Sequence, residues 1–236
     1  MDNKIGVFDS GIGGLTTLNE IRNILPNENY IYYGDSKNNP YGEKSDEDLD
    51  KITNKITNYM VKSGVKLIVV ACNTATTRCI KKLRENFPER IFVGTEPAIK
   101  LACDSGYKNI LVMATPGTVE SERTQQLVAE NQNPRQKITL LPCAGLAELI
   151  EAKDAVGINA KLHELLDPYK YEKIDAVVLG CTHYLHVKDL IAGILLGAKM
   201  IDGNKNVALH VKELLKEKHL LTSRNTSGTV EYIYTK

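Results

Sequence analysis

The chain has 236 residues, of which 42% are hydrophobic and 25% charged, and this composition excludes a disordered or fibrous protein. Its 30 basic and 29 acidic residues give a formal net charge of +1, so no charge excess favours nucleic acid or an acidic membrane as a partner. No basic stretch followed by an apolar one opens the sequence, and no apolar run approaches the ~20 residues of a membrane span. We therefore expect a cytoplasmic protein without a membrane segment.

Short apolar runs recur along the chain, and each is followed by a longer amphipathic stretch. The predicted strands are Ile5–Phe8, Tyr30–Tyr33, Leu67–Ala71, Ile91–Val93, Ile110–Met113, Ile138–Leu141, Ala176–Leu179 and Lys199–Ile201. Near-continuous apolar runs are typical of strands covered on both faces. The alternation of strands and helices predicts an α/β fold with mostly parallel sheets flanked by helices.

Two of the intervening segments carry helix signals. Asp46–Lys62 has apolar residues at helical spacing, and Ser45 with Asp48 three residues later is typical of an N-cap. The segment that contains Leu15 and Leu25 likewise places its apolar residues on one face.

Two stretches of the chain are repeated at nearly equal offsets. Leu67–Thr74 and Ala176–His183 each contain an apolar strand, one small residue, a cysteine and two polar residues. Ile5–Gly11 and Ile110–Gly117 form a second matching pair. Any two buried strands look somewhat alike, but two repeats at similar offsets favour two related α/β lobes.

The cysteines, at positions 72, 79, 103, 143 and 181, include no C-x-x-C pair, so neither a disulfide framework nor a metal site is expected. Asp9, Cys72, Thr115 and Cys181 each follow a predicted strand, where ligands bind in open parallel sheets. If the lobes face each other, the thiols of Cys72 and Cys181 approach one pocket from opposite sides. Cys79, Cys103 and Cys143 are expected in the core.

Two facing thiols suit the inversion of a stereocentre. One thiolate removes a proton from carbon while the opposite thiol delivers one to the other face, and a thiol pKa of ~8.5 allows both roles. Asp9 is placed to move protons for Cys72, provided that the first and third strands are neighbours, and His183 to do so for Cys181. The side chains expected to donate hydrogen bonds to the carbanion-like transition state are Asn73, Thr74, Thr182 and His183.

The segment Asp9–Leu15 is a glycine-rich turn that opens a helix. Its free N–H groups and the helix dipole suit an anion, but the spacing is not G-x-G-x-x-G, so a dinucleotide site is weakly supported. A substrate with both ammonium and carboxylate groups fits better, with Asp9 or Ser10 near the ammonium. The alternative is a tight turn without a ligand.

Six motifs follow one another in a fixed order along the chain. They are Phe8–Gly14, Tyr33–Asp35, Pro40–Gly42, Val70–Ala75, Glu96–Pro97 and Leu179–Tyr184. Together they make the chain resemble the glutamate racemases of the aspartate/glutamate racemase family over almost its full length. The resemblance implies conversion of L-glutamate to D-glutamate for peptidoglycan with no cofactor, a small-molecule substrate, and a possible homodimer.

The resemblance also implies roles for individual residues. Cys72 and Cys181 would be the paired acid/base residues, assisted by Asp9 and His183. Substrate contacts are implied for Asp9, Ser10, Tyr41, Gly42, Asn73, Thr74, Thr115, Thr118, Thr182 and His183. Glu151 would lie behind His183, outside contact with the substrate.

The family likeness further implies a first lobe of residues 1–97 plus 205–236 and a second lobe of residues 98–204, with the active site in the cleft between them. The chain departs from the usual family pattern at Leu185-His186 and at Ile201–Asn204. These departures affect loop geometry and oligomer contacts rather than the paired thiols.

Three other functions stay open at the level of the sequence. An aspartate racemase of the same family shares the two-cysteine logic, although Asp9–Gly11 resembles the glutamate enzymes. A non-catalytic anion-binding module would use the turn Gly11–Gly14 but leaves the matched cysteines unexplained. A redox protein would join Cys72 and Cys181 in a disulfide.

Overall fold

Strands and helices alternate along the chain in a computed structural model that describes residues 4–236. The strands are β1 (Lys4–Asp9), β2 (Asn29–Gly34), β3 (Val65–Val70), β4 (Phe92–Gly94), β5 (Asn109–Ala114), β6 (Lys137–Pro142), β7 (Ala176–Leu179), β8 (Lys199–Ile201) and β9 (Val230–Tyr234). The α-helices are α1 (Leu15–Ile24), α2 (Asp46–Lys62), α3 (Asn73–Asn86), α4 (Ile99–Asp104), α5 (Pro116–Val119), α6 (Glu122–Asn131), α7 (Leu146–Glu151), α8 (Ala155–Leu166), α9 (Lys188–Ile194) and α10 (Asn204–Glu217). Among the helices of these described residues, none is both long and apolar enough to cross a membrane.

The strands form two parallel sheets with the same topology. The first has the order β4-β3-β1-β2-β9 and the second the order β6-β5-β7-β8. Read from the other edge, the second sheet is β8-β7-β5-β6, which matches β4-β3-β1-β2 strand for strand. The prediction of two related α/β lobes is therefore confirmed, and β3 and β7, which precede Cys72 and Cys181, hold equivalent positions.

All eight predicted strands are present, and β7 and β8 have the predicted bounds. Helix α2 also begins and ends as predicted, and the Ser45 hydroxyl accepts the backbone N–H of Asp48 at 3.1 Å. Strand β9, which is not among the predicted strands, lies at the edge of the first sheet and is only half covered.

Each sheet is covered by helices on both faces, which explains why its central strands are continuously apolar. In the first sheet, α1 and α10 cover one face and α2 and α3 the other. In the second sheet, α7, α8 and α9 lie on one face and α4 and α6 on the other. Each lobe therefore has its own core.

The C-terminal part of the chain returns to the first sheet. Helix α10 contacts α1, and β9 pairs with β2. A buried ion pair fixes the segment between them: Lys66 Nζ lies 2.6 Å from Glu28 Oε2 and donates to the Leu220 carbonyl, while Glu28 Oε1 accepts the N–H of Thr222. These contacts support our proposal that residues 1–97 with 205–236 and residues 98–204 are the two lobes.

Candidate active site

The polar residues singled out from the sequence lie at the carboxyl ends of the central strands. Asp9 ends β1, Cys72 follows β3, Thr115 follows β5 and Cys181 follows β7. Because β1 pairs with β3 and β5 pairs with β7, each lobe brings two of these residues together at the carboxyl end of its sheet. The expectation that the first and third strands are neighbours is confirmed.

Hydrogen bonds join the two lobes at this edge. The Thr182 hydroxyl, from the second lobe, donates to both carboxylate oxygens of Asp9 at 3.0 and 3.1 Å. The Thr74 hydroxyl, from the first lobe, lies 2.9 Å from that of Thr115 and 3.0 Å from that of Thr118, and the latter two are 3.0 Å apart. The lobes therefore face each other, with this threonine cluster between them.

Cys72 is buried on the Asp9 side of the cleft, with its sulfur 3.9 Å from the Ser10 hydroxyl. Burial raises the pKa of the Cys72 thiol, and the negative charges of Asp9 and Cys181 raise it further. Burial also raises the pKa of Asp9 to about 6, against the opposing effects of the His183 charge and the Thr182 hydrogen bond. The surroundings of Cys72 therefore favour its neutral, protonated form.

His183 stands beside Cys181 and carries its own carboxylate partner. Its Nδ1 lies 3.8 Å from the Cys181 sulfur, and its Nε2 lies 2.8 Å from Glu151 Oε2. Burial lowers the pKa of His183, but hydrogen bonds to Cys181 and Glu151 outweigh it and raise the pKa to about 10. The imidazole ring is therefore positively charged at neutral pH.

Glu151 belongs to the second lobe, yet it takes two of its hydrogen bonds from the first. The N–H of Ile12 donates to Oε2 at 2.9 Å and the Ser36 hydroxyl to Oε1 at 2.6 Å. Burial raises the pKa of Glu151, but the bonds from His183, Ile12 and Ser36 prevail and lower it to about 2. Glu151 is thus an anion held by both lobes.

The glycine-rich turn after β1 is shaped by this close approach of the lobes. A Cβ atom at Gly11 would overlap the Glu151 carboxylate, and one at Gly13 would overlap the Thr182 hydroxyl. The N–H of Ile12 in this turn is bonded to the chain's own Glu151 carboxylate, so it is not free for a ligand.

Several residues of the loop after β2 reach the site although no role is predicted for them from the sequence. Asp35 accepts the Tyr41 hydroxyl at 2.6 Å, Ser36 contacts Glu151, and the Asn39 amide nitrogen lies 3.5 Å from Nε2 of His183. Asp35 and Ser36 directly follow a strand, so the strand-end rule that selected Asp9 and Cys72 would have found them. Asn39 gives no comparable signal.

A cavity of about 610 Å³ opens along the cleft beside the threonine cluster. Gly42 and Thr77 line it from the first lobe, and Pro116 and Gly117 from the second. Of the residues that the sequence assigns to the site, only Gly42 lines this cavity, so the cavity is not the space between the two thiols. The cleft is thus open next to the threonines, while both thiols are buried.

The other cysteines are buried, as expected, and all five are free thiols. In the part of the chain from residue 4 onward, no three His, Cys, Asp or Glu side chains are grouped as metal ligands. The side-chain oxygen of Asn73 is buried and has no hydrogen-bond partner among the described residues. It is therefore available to a ligand in the cleft.

Known proteins are similar to this chain in both sequence and fold. The model of the Asp/Glu/Hydantoin racemase family matches residues 11–213. A glutamate racemase from Clostridium perfringens (strain ATCC 13124) is 41% identical over 234 residues, which cover 96% of this chain and 88% of the relative. The crystal structure of a glutamate racemase isoform from Bacillus anthracis is 28% identical, with a TM-score of 0.86 and coverage of 99% of this chain and 89% of that one. The structure of the Francisella tularensis glutamate racemase in complex with D-glutamate is 30% identical, with a TM-score of 0.85 and coverage of 100% and 89%. The chain therefore belongs to the Asp/Glu/hydantoin racemase family, where it resembles the glutamate racemases, and is an enzyme of the isomerase class.

Proposed function

We propose that the enzyme interconverts L- and D-glutamate with two cysteine thiols as acid and base and without a cofactor. The single observation that supports this most strongly is the matched position of Cys72 and Cys181, each after an equivalent strand of two related sheets that face each other. The known glutamate racemases to which the chain is similar support glutamate as the substrate.

In the proposed reaction, a thiolate on one side of the cleft removes the α-proton of bound glutamate. The thiol on the opposite side donates its proton to the other face of the same carbon, which leaves the product with inverted configuration. Only protons are transferred, and the two sulfurs end with exchanged protonation states. Either enantiomer is therefore a substrate, because the reverse reaction uses the same groups.

The charges around the two sulfurs differ in sign. His183 places a positive charge beside Cys181, which stabilises negative charge on that sulfur. Burial and, after it, the Asp9 carboxylate raise the pKa of Cys72 and favour its protonated form. We propose that His183 moves protons to and from Cys181 and that Asp9 does so for Cys72.

The groups that would hold the substrate also come from both lobes. The three hydroxyls of the threonine cluster contact one another and can turn to donate to a substrate carboxylate. The unpaired oxygen of Asn73 and the carboxylate of Asp9 suit the ammonium group. The further contacts that we propose are Ser10, Tyr41, Gly42, Thr182 and His183.

The product has a proposed destination. D-glutamate made by enzymes of this kind is a building block of bacterial peptidoglycan, as the family resemblance implies, and we propose the same role here. Expression of the chain in a bacterium that requires D-glutamate for growth tests it. Growth without added D-glutamate is the expected result, and continued dependence would contradict the role.

The two-thiol mechanism is tested by replacing each cysteine with alanine. Without added cofactor, the wild-type enzyme should exchange the α-proton of either glutamate enantiomer for deuterium in D2O, followed by NMR, while circular dichroism records the inversion. Cys72→Ala and Cys181→Ala should each lower kcat by at least about 10²–10⁴-fold, because each removes an acid/base group.

Cys79→Ala is the matched control, since Cys79 is a buried cysteine of α3 that belongs to the core. It should retain wild-type kcat. Full activity in the Cys72 or Cys181 variant would remove that thiol from the mechanism. Faster turnover of aspartate than of glutamate would identify the enzyme as an aspartate racemase instead.

A further inference from the structure

Asp35 is a buried carboxylate that the proposed reaction does not use. It follows β2 and is only 1% exposed. One oxygen accepts the Tyr41 hydroxyl at 2.6 Å and the other accepts the Thr235 hydroxyl at 2.7 Å, while the Asn38 amide reaches both at 2.9 and 3.0 Å. A buried carboxylate is tolerated only when its oxygens are hydrogen-bonded, so the orientation of Asp35 depends on these three donors.

Thr235 reaches this carboxylate from the far end of the chain. It directly follows β9, and its N–H donates to the Gly34 carbonyl at 3.1 Å. Its hydroxyl oxygen also accepts the N–H of Lys37 at 3.0 Å. Because a hydroxyl has a single hydrogen to donate, that of Thr235 is committed to Asp35. The edge strand β9 is thereby joined to the loop that leads into the site.

Tyr41 carries the effect from Asp35 to the cleft. Its side chain is 1% exposed, and its hydroxyl is held by Asp35, which fixes the position of the ring. The next residue, Gly42, lies so close to the second lobe that a Cβ atom there would stand 2.5 Å from Cβ of Thr115. A change in the Asp35–Tyr41 bond therefore shifts backbone that touches the threonine cluster.

We propose that Thr235 is a positioning residue for the substrate, which acts through Asp35 and Tyr41 on the wall of the cleft that receives glutamate. The inference rests on the proposed function, because Tyr41 and Thr115 are the residues assigned there to the substrate. Thr235 contacts no reacting atom, so its effect falls on substrate binding rather than on proton transfer between sulfur and carbon.

Replacing Thr235 by valine tests this role, because valine keeps the shape and removes the hydroxyl. In Thr235→Val we expect KM for both glutamate enantiomers to rise about 10-fold, because one hydrogen bond to a carboxylate is lost. We expect kcat to change less than about twofold. Thr235→Ser restores the hydroxyl and should restore KM. In a double-mutant cycle, Thr235→Val should add little to Tyr41→Phe, since the phenylalanine has already lost the group that Asp35 orients.

Thr229→Val is the matched control. Thr229 precedes β9 at its opposite end, where its hydroxyl donates to the Asn29 side chain at 3.1 Å, away from the cleft. If Thr235 merely anchored the strand, both valine variants would lower Tm alike and leave KM unchanged. The positioning role would be overturned by that result, by a Thr235→Ser variant whose KM is not restored, or by additive effects of Thr235→Val and Tyr41→Phe. None of these outcomes would affect racemisation by the wild-type enzyme. A wild-type enzyme that does not racemise glutamate would instead overturn the proposed function.

Discussion

Asp9 is buried, and in that position the fold disfavours the negative charge of its carboxylate. Burial raises its pKa from 3.8 to about 6, in spite of the His183 charge and the Thr182 hydrogen bonds. Since the raised pKa belongs to the folded state, the favourable contribution of Asp9 to folding is present below pH 4 and is lost as pH rises through about 6. At pH 7 the ionised side chain costs on the order of 2–3 kcal/mol. In exchange, the site gains an acid whose pKa is close to neutrality.

Replacing Asp9 by asparagine should therefore stabilise the protein and impair the enzyme. We expect the free energy of unfolding of Asp9→Asn to rise by roughly 1–3 kcal/mol at pH 7, with the gain shrinking towards pH 4, where the wild-type carboxyl is neutral. kcat should fall, because asparagine cannot exchange a proton with Cys72. Urea unfolding at both pH values and a racemisation assay measure these effects.

Asp175→Asn is the control of opposite sign. The pKa of Asp175 is lowered, because it accepts the backbone N–H groups of Asn109 and Lys108. Its loss should destabilise the protein at pH 7 and leave kcat unchanged. An Asp9→Asn variant that is less stable than the wild type at pH 7 would show that the buried charge carries no such cost.

The turn between β1 and α1 shows how an element can be shaped by a partner outside it. Helix α1 has no side-chain cap at Gly14, so local capping does not account for the glycines that precede it. Gly11 and Gly13 instead leave space for Glu151 and Thr182 of the other lobe. These glycines let the two lobes meet at the site.

Gly13→Ala should therefore prevent the lobes from closing while each lobe keeps its fold. The added Cβ would overlap the Thr182 hydroxyl and lie 2.8 Å from the backbone nitrogen of His183. We expect kcat/KM to fall about 10²-fold, as for other displacements of about 1 Å at a catalytic site, with Tm little changed. Gly193→Ala, in α9 with open space around it, is the control and should keep full activity. A fully active Gly13→Ala enzyme would contradict the steric account.

Prediction from sequence worked for the elements whose signal is local. Strands covered on both faces appear as continuous apolar runs, whereas β9 escaped because Tyr232 and Tyr234 are 50% and 42% exposed at the sheet edge. The strand-end rule located Asp9, Cys72, Thr115 and Cys181, because it needs only the end of each strand. Contacts such as Thr235 with Asp35 join residues far apart in the chain, so no local pattern shows them.

Across the whole molecule, the internal symmetry brings two equivalent sheet edges together, but the bonds between them are not symmetric. Beside Cys72, Asp9 accepts the Thr182 hydroxyl of the other lobe, whereas beside Cys181, His183 is bonded to Glu151 of its own lobe. Glu151 in turn depends on Ile12 and Ser36 of the opposite lobe. Closure of the cleft and the positive charge of His183 are thus linked, since parting of the lobes would remove two of the hydrogen bonds that hold Glu151 in place.

Glu151→Gln tests this link through the pH dependence of catalysis. The raised pKa of His183 means that its charge, and the folding stability it contributes, are fully present below pH 6.5 and are lost as pH rises through about 10. Without the carboxylate, the pKa of His183 should fall, so the alkaline limb of kcat/KM should move to lower pH. The NMR signal of the His183 ring should titrate at the same lower pH.

Glu164→Gln is the control for that experiment, because Glu164 forms an exposed ion pair with Lys161 on α8. It should leave the alkaline limb in place. If Glu151→Gln also leaves the alkaline limb of kcat/KM in place, the Glu151 carboxylate does not set the pKa of His183. The raised pKa of His183 would then depend on its contact with the Cys181 sulfur alone. Closure of the lobes would not control the charge beside that sulfur.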